Sequence, residues 1–248
     1  MAFAALLLAV AIPRPMEIVF VRHAETVANA TGRYNSRTID AFSEQGKREV
    51  AALTKQLNGM QFSAIIVSPS PRALNTIAPY LRAHHLKAEV WPELYECCDA
   101  NTKKVKGPAS PRVLYGESVR LPADLAPLFI LRQDNSRFIL APSYEDGLRQ
   151  IRLAADHLRR SFGGTGKTVL VVGHSLHGGR MIELLEGKPM VGKIRPENAK
   201  IMPFREQPDG KFAPIHRGRD IPVAAPAQPE PVRSFAPAGA GGPPPRGQ

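Results

Sequence analysis

Short apolar runs of strand character alternate with longer segments of helical periodicity along most of this chain, and this alternation limits its fold more than any other feature. The predicted strands, rich in β-branched residues, are residues 17–21, 64–67, 87–91 and 168–172. The segments that repeat apolar residues at helical spacing are 43–57, 71–84, 144–162 and 176–185. Strands alternating with helices predict an α/β fold, here a three-layer α/β/α sandwich around a mainly parallel central sheet.

Local signals refine the ends of these elements. Ser43 is a good N-cap for the first predicted helix. Pro79 should kink or shorten the second one, because proline has no N–H to donate. Residues 199–202 and 212–215 flank a Pro-Asp-Gly turn at 208–210, which predicts a closing β-hairpin.

The chain divides into one domain with two extensions. Its 248 residues are 43% apolar, enough for one substantial core. Residues 16–217 form the predicted domain, and residues 1–15 are an apolar N-terminal extension. Residues 97–140, in which Pro, Lys and Gly recur, are predicted to be an insertion that acts as a cap and shapes substrate choice. Residues 218–248 are rich in Pro, Ala and Gly and are predicted to be a disordered tail.

The N-terminal extension bears on localisation. Residues 2–12 are apolar, but no Lys or Arg precedes them and the run is short for a signal peptide. Met16 opens a strand-like segment and is an alternative start. We therefore expect a cytoplasmic protein, with export as the alternative, and no stretch is long enough to predict a membrane span.

Charge and cysteine content narrow the choice of partner. The formal net charge is +11, which suits either an anionic substrate or nucleic acid. The basic residues are spread along the chain without a nucleic-acid motif, so a small anionic substrate is the better prediction, although a basic surface can also be without function. Cys97 and Cys98 are adjacent, and they predict neither a disulfide framework nor a zinc site.

Polar side chains suited to phosphoryl transfer directly follow three of the predicted strands. They are Arg22-His23, Ser68 to Arg72, and Gly173-His174. Ligands of open α/β sheets bind beyond the carboxyl ends of the strands, where these residues should meet. The carboxyl groups of Glu93 and Glu96 follow the remaining strand. An imidazole can attack phosphorus, guanidinium groups can bind the phosphoryl oxygens, and a carboxylic acid can protonate the leaving group.

Several of these segments resemble, in the same order, the motifs of the histidine phosphatase superfamily, also called phosphoglycerate mutase-like. The matching segments are Arg22 to Thr26 with Asn29, Phe42 to Gly46, Ser68-Pro69 with Arg72, Ala73 and Thr76, Leu94-Tyr95-Glu96, Val172-Gly173-His174 and Glu197-Asn198-Ala199. The resemblance covers residues 16–217 and implies a phosphoglycerate mutase-like fold.

The resemblance also implies roles for individual residues and a phosphatase activity that needs no cofactor and no metal. His23 would be the nucleophile that carries the phosphoryl group. Glu96 would be the acid/base, ahead of Glu93, because it occupies the last position of the Leu-x-Glu pattern. The phosphate pocket would consist of Arg22, Asn29, Arg72 and His174, the last of these also catalytic.

Some positions depart from the usual motifs. Ala24 replaces the usual Gly, and Ser175 follows His174 in place of the common Gly. The sequence around Asn29 has no Trp and lacks the aromatic-rich stretch associated with glycolytic mutases, which favours a phosphatase. It leaves Arg33, Tyr34 and Arg37 as candidate substrate contacts.

Other functions stay open at this point. A mutase-type phosphotransferase or a non-catalytic phospho-ligand-binding protein would use the same pocket. An α/β-hydrolase esterase with Ser175 as nucleophile is a distant alternative, since His177 stands where the nucleophile elbow needs Gly. The Walker-like sequence at 163–168 is rejected, because it follows a predicted helix and precedes a strand. The expected partner is a small phosphorylated substrate or a phosphoprotein; the sequence does not predict an oligomeric state.

Overall fold

The computed structural model describes residues 14–98, 116–138 and 143–216. The predictions for the start of the N-terminal extension, for residues 99–115 and 139–142 of the insertion, and for the tail lie outside the described residues. None of the helices in the described ranges has the length and apolar character to cross a membrane.

The described residues form a central sheet covered by helices. The strands are β1 (Glu17–Arg22), β2 (Ala64–Val67), β3 (Ala88–Val90), β4 (Phe129–Ile130), β5 (Thr168–Gly173), β6 (Ile201–Glu206) and β7 (Phe212–Pro214). The α-helices are α1 (Val27–Thr31), α2 (Glu44–Leu57), α3 (Pro71–His84), α4 (Tyr144–Phe162) and α5 (Leu176–Leu185). Short 3₁₀ turns lie at Pro92–Leu94, Ala126–Leu128 and Gln133–Asn135.

The sheet has seven strands in the order β4-β3-β2-β5-β1-β6-β7. The five strands from β4 to β1 are parallel, and β6 and β7 are antiparallel to their neighbours. This confirms the predicted mainly parallel sheet, and the β6–β7 pair is the predicted closing hairpin. β1, β5 and β2 are neighbours, so their carboxyl ends meet in the middle of one edge of the sheet.

The two faces of β1 bury different residues, which explains the three layers. Val19 and Val21 belong to the core under α2 and α3. Ile18 and Phe20 belong to the core under α4 and α5. A strand buried on both faces needs apolar residues at successive positions, as the uninterrupted run in the sequence predicts.

The expected effect of Pro79 is wrong in one respect, because α3 continues past it to His84. A proline inside a helix removes one backbone hydrogen bond. Leu74, Ile77 and Leu81 of this helix are fully buried against the sheet. Burial of such side chains contributes about 1.5–3 kcal/mol each, which outweighs the loss of one hydrogen bond.

The described part of the insertion, residues 116–138, extends the sheet. Its strand β4 pairs in parallel with β3, and Leu125, Phe129 and Phe138 join the core under α2 and α3. Phe138 also packs edge-on against Tyr95, with ring centroids 5.3 Å apart. The predicted role of the insertion as a cap stays a prediction.

Candidate active site

The residues predicted at the strand ends meet at one place. His23 follows β1, His174 follows β5, and Arg72 lies in the first turn of α3 just after β2. The rings of His23 and His174 are in edge-to-face contact with centroids 5.3 Å apart. All three residues are buried. Adjacent parallel strands place their carboxyl ends together, which is why His23 and His174, 151 positions apart in the sequence, become neighbours.

Arg72 is at the centre of this cluster and donates hydrogen bonds in three directions. Its Nε lies 3.3 Å from Nε2 of His23, and its Nη2 lies 3.3 Å from Nδ1 of His174. Its Nη1 donates to Oδ1 of Asp40 over 2.9 Å. The planar guanidinium therefore joins both histidines and a carboxylate, which a single ammonium group could not do.

These contacts assign the tautomers of the two imidazoles. His23 accepts from Arg72 at Nε2, so its proton is on Nδ1, which donates to the carbonyl of Ala24 over 2.8 Å. His174 accepts at Nδ1, so its Nε2 donates to Oγ of Ser68 over 2.7 Å. Burial lowers the pKa of both imidazoles well below 6.5, and the positive charge of Arg72 lowers it further. His23 therefore has a lone pair on Nε2 at neutral pH.

Arg22 adds a second cation to the site. Its Nη1 donates to the carbonyl oxygen of Pro196 over 3.1 Å. Its Nε is buried and has no hydrogen-bond partner within the described residues. Burial lowers the pKa of this guanidinium, while the nearby carboxyl of Glu96 opposes the shift. A buried donor without a partner costs about 1–3 kcal/mol, a cost that a bound anion would relieve.

Glu96 lies between the arginines and the N-terminus of α5. Its carboxyl accepts hydrogen bonds from the backbone N–H groups of Leu176 (3.2 Å), His177 (2.8 Å) and Cys97 (3.2 Å). Burial raises the pKa of this carboxyl, and the N–H groups of His177 and Leu176 together with Arg72 and Arg22 reduce the shift. The group therefore holds a proton at a higher pH than an ordinary glutamate, which suits an acid.

Glu93, the competing carboxylate, faces a different part of the molecule. Its Oε1 lies 2.7 Å from Nδ1 of His157, and its Oε2 accepts from Asn135 over 3.0 Å. It lines a cleft of about 540 Å³ between β3 and α4 that contains none of the strand-end residues. The two glutamates are three residues apart, but Glu93 lies within the 3₁₀ turn Pro92–Leu94 and Glu96 lies after it, so their side chains have different surroundings.

The structure does not bring the Asn29 side chain into hydrogen-bond contact with His23, Arg72 or His174; its side-chain hydrogen bonds among the described residues are with Thr26 and Tyr34. Asn29 and Thr26 make a capping box at the start of α1, which occupies the amide oxygen of Asn29. Its Nδ2 lies 3.4 Å from the hydroxyl of Tyr34, which is 64% exposed. Arg33 and Arg37 are exposed on the same loop.

Sequence reasoning missed two polar partners of the cluster. Asp40 was assigned no role, although it binds Arg72, and its side chain is 30% exposed. Ser68 was placed at the end of a predicted strand and in a motif but was given no role, although its Oγ accepts a hydrogen bond from Nε2 of His174. An aspartate in an irregular loop gives no periodic signal, and the position of Ser68 at the end of β2 does not by itself indicate which side chain it binds.

The two remaining motifs have structural positions. Ser175 is the residue before the first turn of α5 and makes no side-chain cap hydrogen bond. The Walker-like segment connects the end of α4 to the start of β5, as expected from its rejection. Within the described ranges, no group of three or more His, Cys, Asp or Glu residues is arranged to hold a metal ion.

Comparisons with known proteins agree with this fold. Solved structures of the same fold include an α-ribazole phosphatase from Shigella flexneri (17% identity, 81% of this chain and 95% of that chain, TM-score 0.54). A phosphoglycerate mutase from Bacillus anthracis is 20% identical over 82% of this chain and 93% of that chain, with a TM-score of 0.54. A phosphoserine phosphatase variant from Entamoeba histolytica, in complex with phosphoserine, is 17% identical over 81% and 95%, with a TM-score of 0.51.

At these identities the solved structures show the fold alone, and no curated protein sequence matches significantly. The model of the histidine phosphatase superfamily, branch 1, matches residues 18–212, which is most of the chain. The protein therefore belongs to the histidine phosphatase superfamily (branch 1).

Proposed function

We propose that this protein hydrolyses a phosphate monoester through a phosphohistidine formed on Nε2 of His23. The observation that carries the proposal is the neutral imidazole of His23, whose Nε2 lone pair faces Arg72 in a buried, cationic site. A nucleophile and the cations that bind the transferring group are thus already in place before substrate arrives.

In the first step, Nε2 of His23 attacks phosphorus. The P–N bond forms while the P–O bond to the alcohol breaks, and the electron pair of that bond goes to the leaving oxygen. The carboxyl of Glu96 donates its proton to this oxygen. Arg72 transfers its Nε and Nη2 hydrogen bonds from His23 and His174 to phosphoryl oxygens, where the guanidinium stabilises the negative charge of the transferring group.

In the second step, the carboxylate of Glu96 takes a proton from water, and the water oxygen attacks phosphorus. The P–N bond breaks, its electron pair returns to Nε2 of His23, and inorganic phosphate leaves. Glu96 is again protonated at the end of the cycle, so the two steps balance. The same pocket residues, Arg22 and Arg72 with His174, would bind the phosphoryl group in both steps.

The substrate is proposed to be a small phosphorylated molecule or a phosphoprotein. Arg33, Tyr34 and Arg37 are exposed on the loop beside Asn29 and are our candidates for contacts to the part of the substrate beyond the phosphate. A phosphotransferase of the mutase type would use the same first step but return the phosphoryl group to an alcohol in place of water.

The test is phosphate release from an aryl phosphate between pH 5 and 8 in EDTA. Wild type should release phosphate and, after an alkaline quench, should show a phosphohistidine at residue 23 by mass spectrometry. His23→Ala should do neither, while the control His84→Ala, an exposed histidine of α3, should match wild type.

Three results would contradict the proposal. A folded wild type that binds phosphate without releasing it from the ester would favour a binding protein. Equal activity of His23→Ala would show that the nucleophile is another group. Transfer of the phosphoryl group to an added hydroxy-acid acceptor in preference to water would indicate a mutase.

A further inference from the structure

Helix α5 contains a buried carboxylate that has no cationic partner among the described residues. Glu183 of α5 is 2% exposed. It forms no ion pair within the part of the chain that the structure describes. Its Oε2 accepts from the backbone N–H of Gly192 over 2.8 Å. Its Oε1 accepts from the backbone N–H of Lys193 and from the backbone N–H of Ile194, the latter over 3.0 Å. Burying a carboxylate is costly unless it is hydrogen-bonded, and here three consecutive N–H groups provide the bonds.

The segment that Glu183 binds lies directly on α5. A Cβ at Gly179 of this helix would clash with the carbonyl of Ile194, so the backbones are in close contact. Gly192 has a φ of +76°, in the left-handed region that favours glycine. A Cβ at residue 192 would contact the guanidinium of Arg180. The turn at 192–194 is therefore held in one place by α5.

The continuation of this segment contacts Arg22 and His23. The carbonyl of Pro196 accepts from Nη1 of Arg22 over 3.1 Å. The N–H of Ala199 donates to the carbonyl of Arg22 over 3.0 Å. Nδ2 of Asn198 donates to the carbonyl of His23 over 2.8 Å. Among the described residues, the Arg22 guanidinium donates a hydrogen bond only to the Pro196 carbonyl.

We propose that Glu183 is a positioning residue for Arg22. By holding residues 192–194, it fixes the Pro196 carbonyl, which in turn orients the Arg22 guanidinium toward the phosphate. The inference rests on the proposed function for its effect on phosphate binding, but the orientation of Arg22 can be measured by itself. Small displacements of a binding group can cost about a hundredfold in activity, so an indirect residue can matter.

The test compares four full-length proteins: wild type, Glu183→Gln, Arg22→Ala and the double variant. Glutamine keeps the shape of the side chain but removes the charge and turns one acceptor into a donor. We expect Glu183→Gln to raise the Kd for inorganic phosphate and the KM for an aryl phosphate by roughly tenfold, with a smaller change in kcat. In the Arg22→Ala background, the same substitution should change neither constant further.

The Arg22 side chain also gives a readout that does not depend on activity. Its Nε–H signal in NMR spectra, assigned by its absence from Arg22→Ala, should broaden or exchange faster in Glu183→Gln. If this signal changes while wild type neither binds nor releases phosphate, the proposed function fails and the positioning role stands.

Two further variants separate positioning from folding. Gly192→Ala strains the same turn without touching Glu183 and should reproduce the rise in Kd. Glu197→Gln, at an exposed glutamate whose side chain is 74% accessible, is the matched control and should behave as wild type. An unchanged Arg22 signal in Glu183→Gln would overturn the inference. So would an equal loss of phosphate affinity in the Arg22→Ala background.

Discussion

Replacing Arg72 by lysine tests whether the shape of this cation, and not only its charge, matters. Arg72 donates to His23, His174 and Asp40 from three different nitrogens of one plane. Lysine keeps the positive charge but has one ammonium group on a flexible chain, which cannot point in these three directions. We therefore expect Arg72→Lys to fold and to lose most of its activity.

The size of the loss follows from the number of hydrogen bonds. In the proposed mechanism, the two donors that face His23 and His174 in the free protein turn to the phosphoryl oxygens in the transition state. Hydrogen bonds to charged groups contribute about 1.5–3 kcal/mol each. Without both of them, kcat/KM should fall by about a hundredfold to ten-thousandfold, at about 1.4 kcal/mol for each factor of ten.

The assay is kcat/KM for an aryl phosphate at mildly acidic pH, together with the urea midpoint of unfolding. The matched control is Arg82→Lys, at an exposed arginine of the same helix, and it should match wild type within twofold (about 0.4 kcal/mol). If Arg72→Lys stays within about threefold of wild type, charge alone is sufficient and the argument from guanidinium geometry is refuted.

The remaining predictions concern protons and the partner of His174. Histidines of the unfolded chain become protonated near pH 6.5. The lowered pKa values of His23 and His174 keep both imidazoles neutral in the folded protein. The free energy of unfolding should therefore fall as the pH drops below about 6.5. Urea unfolding at pH 7 and pH 5 measures this, and an equal pH dependence in His23→Asn would contradict it. Because burial raises the pKa of Glu96, kcat/KM should decline as the pH rises through that pKa, and the decline should be absent from the residual activity of Glu96→Gln. Ser68→Ala removes the hydroxyl that accepts the hydrogen bond from Nε2 of His174. It should lower kcat/KM by about tenfold and the free energy of unfolding by about 1 kcal/mol. Unchanged kinetics would show that the tautomer of His174 needs no such partner.

The positions of most strands were accessible from the sequence because buried parallel strands appear in it as local apolar runs. The predicted strand at 64–67 and the predicted helices at 71–84, 144–162 and 176–185 have the bounds found in the structure. In a parallel sheet, the residue after a buried strand lies at the edge where ligands bind, whichever strands lie beside it. His23 and His174 could therefore be placed together without knowledge of any contact between them.

The edge strand β4 was not predicted, because its two residues lie in a segment without periodicity and pair only with β3. A strand of this length has too little sequence signal to stand out. Its assignment depends on a neighbour that is far away in the chain.

By itself, the sequence determined the family, the mainly parallel sheet and the strand ends at which the two histidines and Arg72 lie. Tertiary structure decided which glutamate faces the site, since Glu96 binds the N-terminus of α5 while Glu93 pairs with His157. It also decided that Asp40 would hold Arg72. The physical reason is that apolar periodicity is a local property of the chain, whereas the direction and the partners of a polar side chain depend on elements that meet it only after folding.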